Sequence, residues 1–158
     1  MIIYGYKCFN GDLTSSFGDE FTEGETYHFM GPHFGKQGYH MCQRLEDTLR
    51  YFDAFNKEVK IGYVKGYGDI HESFDDYNGY YNMYAVEYLE IIHILTREEI
   101  INYALNLPDT RAKRFLELFL LTDDELLLFE EKFKDNYFVL SSINYYQKEK
   151  KLVKKLNV

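Results

Sequence analysis

The residues best placed to form a chemical site lie in one short segment, Phe34-Gly35-Lys36-Gln37-Gly38-Tyr39-His40-Met41-Cys42. Its glycines and the alternation that follows predict a loop, then a short strand, and then a helix. That arrangement can place Tyr39 on the wall of a cleft, where its ring could stack on a ligand. The spacing of Gly35 and Gly38 fits neither of the two glycine patterns that bind phosphates ahead of a helix. The segment therefore indicates a ligand pocket rather than a phosphate loop.

A second group of chemically active side chains is the acidic stretch from Gly68 to Gly79. Its carboxylates could bind a divalent cation, but their spacing is not that of a calcium-binding loop. We interpret the stretch as a solvated acidic loop that meets a partner. The expected interaction residues are Asp69, Glu72, Asp75, Asp76, Tyr77 and Tyr80.

The two cysteines, Cys8 and Cys42, are the remaining candidates for chemistry. Cys42 and His40 share one face of the predicted strand, and Cys8 could lie on a neighbouring strand. No pair of ligands has the close spacing of a zinc site, so we expect no metal. Buried free thiols and a hydrogen-bonded histidine are the preferred interpretation, since a reducing compartment is the default for such a chain.

Charge is distributed unevenly along the 158 residues. Residues 1–95 hold 15 acidic and 7 basic side chains, whereas residues 96–158 hold 11 of each, so the whole net charge of −8 belongs to the first part. This imbalance argues against nucleic-acid binding by residues 1–95 and favours a protein partner with a basic surface. No apolar run is long enough to span a membrane and no signal-peptide pattern opens the chain, so we expect a cytoplasmic protein without membrane contact.

Alternation and turn residues predict strands first and helices afterwards. The expected strands are residues 2–9, Glu25–Met30, the short stretch at Tyr39, Val59–Tyr67, and Asn82–Leu95 with a bulge near Glu90. One helix, which carries Leu45, Leu49 and Phe52 on one stripe, is expected to interrupt them.

The hydrophobic pattern changes from that of strands to that of helices at Thr96. Thr96-Arg97-Glu98-Glu99 forms a capping box there, and Thr122-Asp123-Asp124-Glu125 forms a second one. The first helix should end before Pro108, and Asp109 or Thr110 can cap the next. A last helix should run from about Tyr137 to Leu156. The order predicts an α+β protein: a twisted, mainly antiparallel sheet with one helix in residues 1–95, and a helical extension of three or four helices in residues 96–158.

Three segments resemble ADP-ribosyltransferases of the poly-ADP-ribose-polymerase-like branch. The Gly38-Tyr39 segment with its helix resembles the motif whose tyrosine stacks on the nicotinamide ring of NAD. The strand at Lys7 lies where that branch has a ribose-binding histidine, and Tyr81-Asn82-Met83-Tyr84 resembles the strand of the catalytic glutamate. Lys7 and Met83 replace those two residues, so the resemblance implies a related fold and an NAD pocket at Tyr39, Gly38 and Lys7, but no catalytic residue. Glu87 or Glu90 could supply the carboxylate only with a shifted alignment.

A second resemblance is to an uncharacterised small domain of phage and bacterial genomes. Its members share a "G-[FY]-K-x-F" start and a "G-[FY]-H-x-C" centre. The matching segments are Gly5-Tyr6-Lys7-Cys8-Phe9-Asn10, then Phe21 through Gly24 to Tyr27, then Gly38-Tyr39-His40-Met41-Cys42, and the match extends to Thr96-Arg97-Glu98-Glu99. This resemblance implies a phage or mobile-element setting and no known reaction.

Two functions follow as expectations. The first is a non-enzymatic phage-type or mobile-element-type interaction protein that needs no cofactor, whose acidic surface binds and inhibits a host protein. The alternative is an NAD-dependent transferase with Tyr39 in the nicotinamide pocket. Either could form oligomers through the C-terminal helices, whose apolar runs exceed what a single stripe needs.

Overall fold

A computed structural model describes residues 1–30, 38–74 and 82–157. The chain forms two compact units. The first comprises Met1–Asp53 and Lys57–Leu95, and the second comprises Ala54–Asn56 and the chain from Thr96 onwards. The first unit is a five-stranded antiparallel sheet with one short helix, and the second is helical, which confirms the α+β class.

Five antiparallel strands form one sheet in the order β2-β5-β3-β1-β4. They are β1 (Ile2–Asn10), β2 (Thr26–His28), β3 (Tyr39–Cys42), β4 (Val59–Phe74) and β5 (Asn82–Ile94). The strand β5 pairs with β4 along one edge and with β3 and β2 along the other. Since β4 also pairs with β1, and β1 with β3, the pairings β1–β4–β5–β3 close into a circuit.

The inner face of this curled sheet holds the apolar core. Phe9, Met41, Val86, Leu89 and Ile91 are all almost fully buried there. Curling brings β1 close to β3, which requires glycine on the inner face. A Cβ atom on Gly5 would collide with the carbonyl oxygen of Cys42.

The strand β4 is longer than the sequence predicts. Residues from Gly68 to Phe74 were expected to be loop, because glycine and acidic residues are poor strand formers, yet they continue β4 through pairing with β5. The register shifts between Tyr67 and Ile70, where Gly68 adopts a φ of +80°. A bulge at this point accommodates the extra residue, and glycine suits its left-handed conformation. The interpretation of this described part as a loop is therefore wrong.

The bulge expected near Glu90 is confirmed close by. Tyr63 pairs with His93 and Val64 pairs with Ile91, so one extra residue of β5, Ile92, has no opposite partner in β4. The predicted helix after β3 is shorter than expected. It consists of α1 (Leu45–Thr48) and one 3₁₀ turn (Leu49–Tyr51), and both leucines of its stripe are buried.

The second unit is built of helices. They are α2 (Arg97–Leu105), α3 (Asp109–Leu118), α4 (Asp123–Lys132), α5 (Tyr137–Ser142), a π-helical segment (Ile143–Glu149) and α6 (Lys150–Leu156). Both capping boxes are confirmed, with Thr96 and Thr122 accepting from the backbone N–H of the third helical residue. The predicted cap of α3 is wrong, because this helix begins at Asp109 directly after Pro108 without a side-chain cap.

The π-helical segment was not predicted, and one buried side chain accounts for its packing. Gln147 is fully buried and donates to the carbonyl oxygens of Leu116 and Phe119, at 2.6 and 2.8 Å. Its own side-chain oxygen accepts from the backbone N–H of Leu121 at 3.0 Å. The amide thus satisfies three backbone groups of the turn that connects α3 with α4.

No helix in the part of the chain that the structure describes combines the length and apolarity needed to cross a membrane.

Candidate functional site

A cleft of about 610 Å³ lies in the first unit. It brings together the residues that the sequence analysis assigned to a pocket, namely Lys7 on β1 and Gly38 and Tyr39 at the start of β3. Met83 of β5 lines it too, so the three positions that resemble transferase site residues share one cleft. Most of the remaining described lining is apolar or aromatic.

The half-buried lysine is the main polar group of the cleft. The Nζ atom of Lys7 donates a hydrogen bond to the carbonyl oxygen of His40 at 2.7 Å. It also lies 5.9 Å from the ring centre of Phe9 and 5.7 Å from that of Phe21. Burial lowers the pKa of Lys7 to about 8, and nearby Cys42, Cys8 and Asp19 offset only part of this effect. The ammonium form is therefore still the major one at neutral pH, but it is poorly solvated.

Next to the lysine, five rings form an aromatic cluster: Phe9, Phe21, Tyr27, Phe29 and Tyr39. Tyr39 makes edge contacts with three of them, at centre-to-centre distances of 6.0 to 6.3 Å. Burial, followed by the charge of Asp19, raises the pKa of its hydroxyl. Tyr39 is thus a neutral, half-buried wall residue with packed neighbours.

Sequence reasoning did not assign Phe21 to the pocket. It stands in a stretch of polar residues that reads as loop, yet it is buried and contacts Phe9 at 5.1 Å and Tyr27 at 4.9 Å between ring centres. Two signals pointed to it: it begins the segment to Tyr27 that resembles the phage and bacterial domain, and it is one of two aromatic residues in that polar stretch, the other being the exposed Phe17.

The described lining offers little catalytic machinery. Asp19 is its only carboxylate, and it is exposed at the cleft and accepts from Ser15 Oγ at 3.3 Å. Met83 stands where the transferase resemblance expects a glutamate, so the oxocarbenium-like transition state of that chemistry would lack its stabilising charge.

Both cysteines are buried free thiols, as predicted. Burial raises the pKa of Cys8 to about 12, which keeps it a neutral thiol and a poor nucleophile. Within residues 1–30, 38–74 and 82–157, no three His, Cys, Asp or Glu side chains are grouped so that they could hold a metal ion.

The opposite, outer face of the sheet carries a second candidate site. Cross-strand pairing aligns Ile2, Tyr67, Tyr88 and His28 in one row across β1, β4, β5 and β2. The rings of Tyr67 and Tyr88 stack at 4.9 Å, and those of Tyr88 and His28 at 4.2 Å, with planes within 5° of parallel.

Two further rows follow the first in succession along β1 and β4. The second consists of Tyr4, Lys65 and Glu90, and the third begins with Tyr6 and Tyr63. Tyr4 stacks on Tyr63 at 6.1 Å. We call these residues together the tyrosine face: Ile2, Tyr4, Tyr6, His28, Tyr63, Lys65, Tyr67, Tyr88 and Glu90. Ile2 and Tyr4 are at least half exposed and the others are partly so, which leaves ring surface open to a partner.

Lys65 shows how this face holds a cation. Its Nζ atom lies 5.4 Å from the ring centre of Tyr67 and 3.8 Å from a carboxylate oxygen of Glu90. The ring quadrupole and the carboxylate act on the same ammonium group.

Acidic groups border the tyrosine face. Glu87 accepts from the backbone N–H of Asp69 at 2.9 Å and pairs with His28 at 3.2 Å, and these two contacts, in that order, lower the pKa of its carboxyl. Asp69, one of the predicted interaction residues, is exposed on β4 two residues after Tyr67. Glu72, a second one, is exposed farther along β4, where it pairs with Tyr84 of the core and accepts from its hydroxyl at 3.4 Å. The other four, Asp75, Asp76, Tyr77 and Tyr80, lie outside the described residues.

In the second unit, several large apolar side chains are exposed on helices. They include Leu127, Leu128, Leu152, Val153 and Leu156. Oligomer formation through these helices stays a prediction.

No protein family, no curated protein and no solved structure matches this chain.

Proposed function

We propose that this chain is a non-enzymatic interaction protein whose tyrosine face binds a basic segment of a partner protein. The observation that carries the proposal is the position of Lys65 between Tyr67 and Glu90. An arginine or lysine of a partner could be held in the same way over the other rings, because a cation gains from both the ring face and a nearby carboxylate.

The charge of the first part of the chain supports a basic partner. All of the net charge of −8 belongs to residues 1–95. That charge speeds encounter with a cationic surface and repels nucleic-acid phosphates. Tyrosine is also among the residues that contribute most to protein–protein binding, since it offers a large rigid surface with a polar end.

The resemblance to a small phage and bacterial domain suggests the kind of partner that this protein binds. It suggests a host protein as the partner and inhibition as the consequence of binding. A cytoplasmic location belongs to the same proposal, and the two free, buried cysteines support it.

The proposal is tested with a synthetic peptide of alternating arginine and glycine, titrated calorimetrically into the wild type and into Tyr4→Leu and Tyr88→Leu. Leucine keeps apolar bulk and charge but removes the ring quadrupole, so each variant should bind roughly two- to fivefold more weakly. Tyr137→Leu is the matched control, because Tyr137 is 86% exposed and lies in the second unit. Equal affinities in all four proteins would reject the tyrosine face as the binding site.

One observation favours the alternative, an NAD-dependent ADP-ribosyltransferase-like enzyme: Lys7, Tyr39 and Met83 line one cleft. The described lining does not fit the cofactor's chemistry, however, because it lacks a carboxylate at Met83 and offers one cation, Lys7, for a pyrophosphate. Incubation with labelled NAD and host lysate tests this function. Absence of label transfer, together with equal NAD affinity of the wild type and Tyr39→Ala, would eliminate it.

A further inference from the structure

The cleft around Lys7 has the size and lining of a small-molecule site. Its volume of about 610 Å³ falls within the range of 300–1,000 Å³ that is typical of ligand pockets. Three residues of the aromatic cluster, Phe21, Phe29 and Tyr39, line it directly. A flat apolar ring could pack against these edges in the same offset geometry that the rings adopt with one another.

Lys7 supplies a specific polar anchor in this apolar cleft. An ammonium group has three donors, and the hydrogen bond to the carbonyl oxygen of His40 uses one of them. The aromatic rings of Phe9 and Phe21 replace only part of the lost hydration. A ligand carboxylate would accept a charge-assisted hydrogen bond from Lys7 and compensate for its burial.

The charge that the cleft can accept is limited. Asp19 is close enough to affect the pKa values of both Lys7 and Tyr39, and Lys7 is the only cationic side chain among the described lining residues. A second negative charge on the ligand would meet Asp19 without a further cation to balance it.

From these three observations we infer that the cleft binds a small aromatic monocarboxylate, with the carboxylate on the ammonium group of Lys7 and the ring against Phe21 and Tyr39. Tyr6 belongs both to the lining of the cleft and to the tyrosine face, but Lys7, Phe21 and Tyr39 are not part of that face, so each proposal can fail without the other.

The test uses three naphthalene compounds that differ in charge: 2-naphthamide, 2-naphthoate and naphthalene-2,6-dicarboxylate. Calorimetric titration of the wild type should give an affinity for 2-naphthoate that is at least about tenfold higher than for the neutral amide, the value expected for one charge-assisted hydrogen bond. The dicarboxylate should also bind at least about tenfold more weakly than 2-naphthoate. Equal or tighter binding of the amide or the dicarboxylate, or no binding of 2-naphthoate, would overturn the inference.

A pair of variants locates the anchor. Lys7→Met keeps the length and apolar stem of the side chain, and it should reduce the 2-naphthoate affinity to that of the amide. Lys60→Met is the matched control on β4, where Lys60 pairs at 3.5 Å with the exposed Glu58. It should bind as the wild type does, and an equal loss in both variants would contradict the role of Lys7.

A titration of the wild type keeps the inference testable if Lys7→Met does not fold. With lysine side chains isotopically labelled, the pKa of Lys7 followed by NMR should rise when 2-naphthoate saturates the protein and stay unchanged with the amide. An unchanged pKa with 2-naphthoate would place the carboxylate elsewhere.

Discussion

Tyr88 stacks on His28 with ring centres 4.2 Å apart and ring planes within 4° of parallel. Both residues face each other directly across β5 and β2. The stack therefore adds a side-chain contact to the backbone pairing of this three-residue strand with β5.

Truncation of Tyr88 should therefore destabilise the first unit. Tyr88→Ala removes the ring between Tyr67 and His28, and we expect a loss of about 1–2 kcal/mol in the free energy of unfolding. Tyr88→Phe keeps both stacks and should cost less than about 0.5 kcal/mol. Urea unfolding followed by circular dichroism measures both values, and similar losses in the two variants would show that the hydroxyl, rather than the stack, matters.

The capping boxes make a prediction about the second unit. Thr96 and Thr122 each accept a hydrogen bond from an N–H at a helix start, at 3.2 Å in both cases. Thr96→Ala and Thr122→Ala should each lower the free energy of unfolding by about 1 kcal/mol, because an N–H group loses its acceptor. Thr→Ser at the same positions retains the acceptor and serves as control; thermal unfolding that ranks serine with alanine would contradict this account.

Gln147 should matter more than either cap. Gln147→Ala leaves three buried backbone groups unsatisfied and opens a small cavity, so we expect a loss of about 2–4 kcal/mol. Lys148→Ala, next in the chain, removes only a surface contact with Glu130 and should change stability by less than about 0.5 kcal/mol. Chemical denaturation of the two variants compares them directly. A small effect of Gln147→Ala would mean that the turn finds other partners.

The lowered pKa of Lys7 predicts a particular pH dependence. Between pH 8 and about 10 the folded protein has lost a proton that the unfolded chain still binds, because the pKa of Lys7 falls to about 8 from its usual value of 10.5. The contribution of Lys7 to the free energy of unfolding therefore rises as the pH increases from 8 to about 10. The raised pKa of Cys8 acts in the opposite direction at alkaline pH, and its largest cause, burial, is common to the wild type and to Lys7→Met. The charge of Lys7 offsets part of this shift in the wild type, so its removal does not reverse the expected difference between the two proteins.

The quantity to measure is the difference in the free energy of unfolding between the wild type and Lys7→Met. The free energy of unfolding of the wild type should increase relative to that of Lys7→Met as the pH rises from 8 to about 10. Parallel profiles for the two proteins would mean that burial does not affect the Lys7 amine. Lys60→Met should run parallel to the wild type, since Lys60 is solvent-exposed over 42% of its side chain.

Local signals explain what the sequence predicts correctly. The alternation in residues 2–9 and the two capping boxes depend on residues within one turn or one strand, so the sequence contains them in full. The pocket assignment of Lys7 and Tyr39 depends on two strands being neighbours, which the resemblance suggested and periodicity alone does not contain.

Long-range pairing explains what the sequence does not reveal. The extension of β4 past Gly68 goes against local propensity and arises from its pairing with β5. The rows of the tyrosine face depend on the register of four strands. The buried contacts of the π-helical segment join Gln147 to Leu116 and Phe119, about thirty residues away in the chain, so no local pattern contains them.

The most direct test of the tyrosine face removes the cation that it already holds. Lys65→Ala frees the ring of Tyr67 and the carboxylate of Glu90, whereas Lys60→Ala removes the same charge elsewhere on β4. We expect the arginine–glycine peptide to bind Lys65→Ala roughly two- to fivefold more tightly than it binds Lys60→Ala, because only the first variant gains a vacated site. Equal affinities, or weaker binding to Lys65→Ala, would contradict the proposed function.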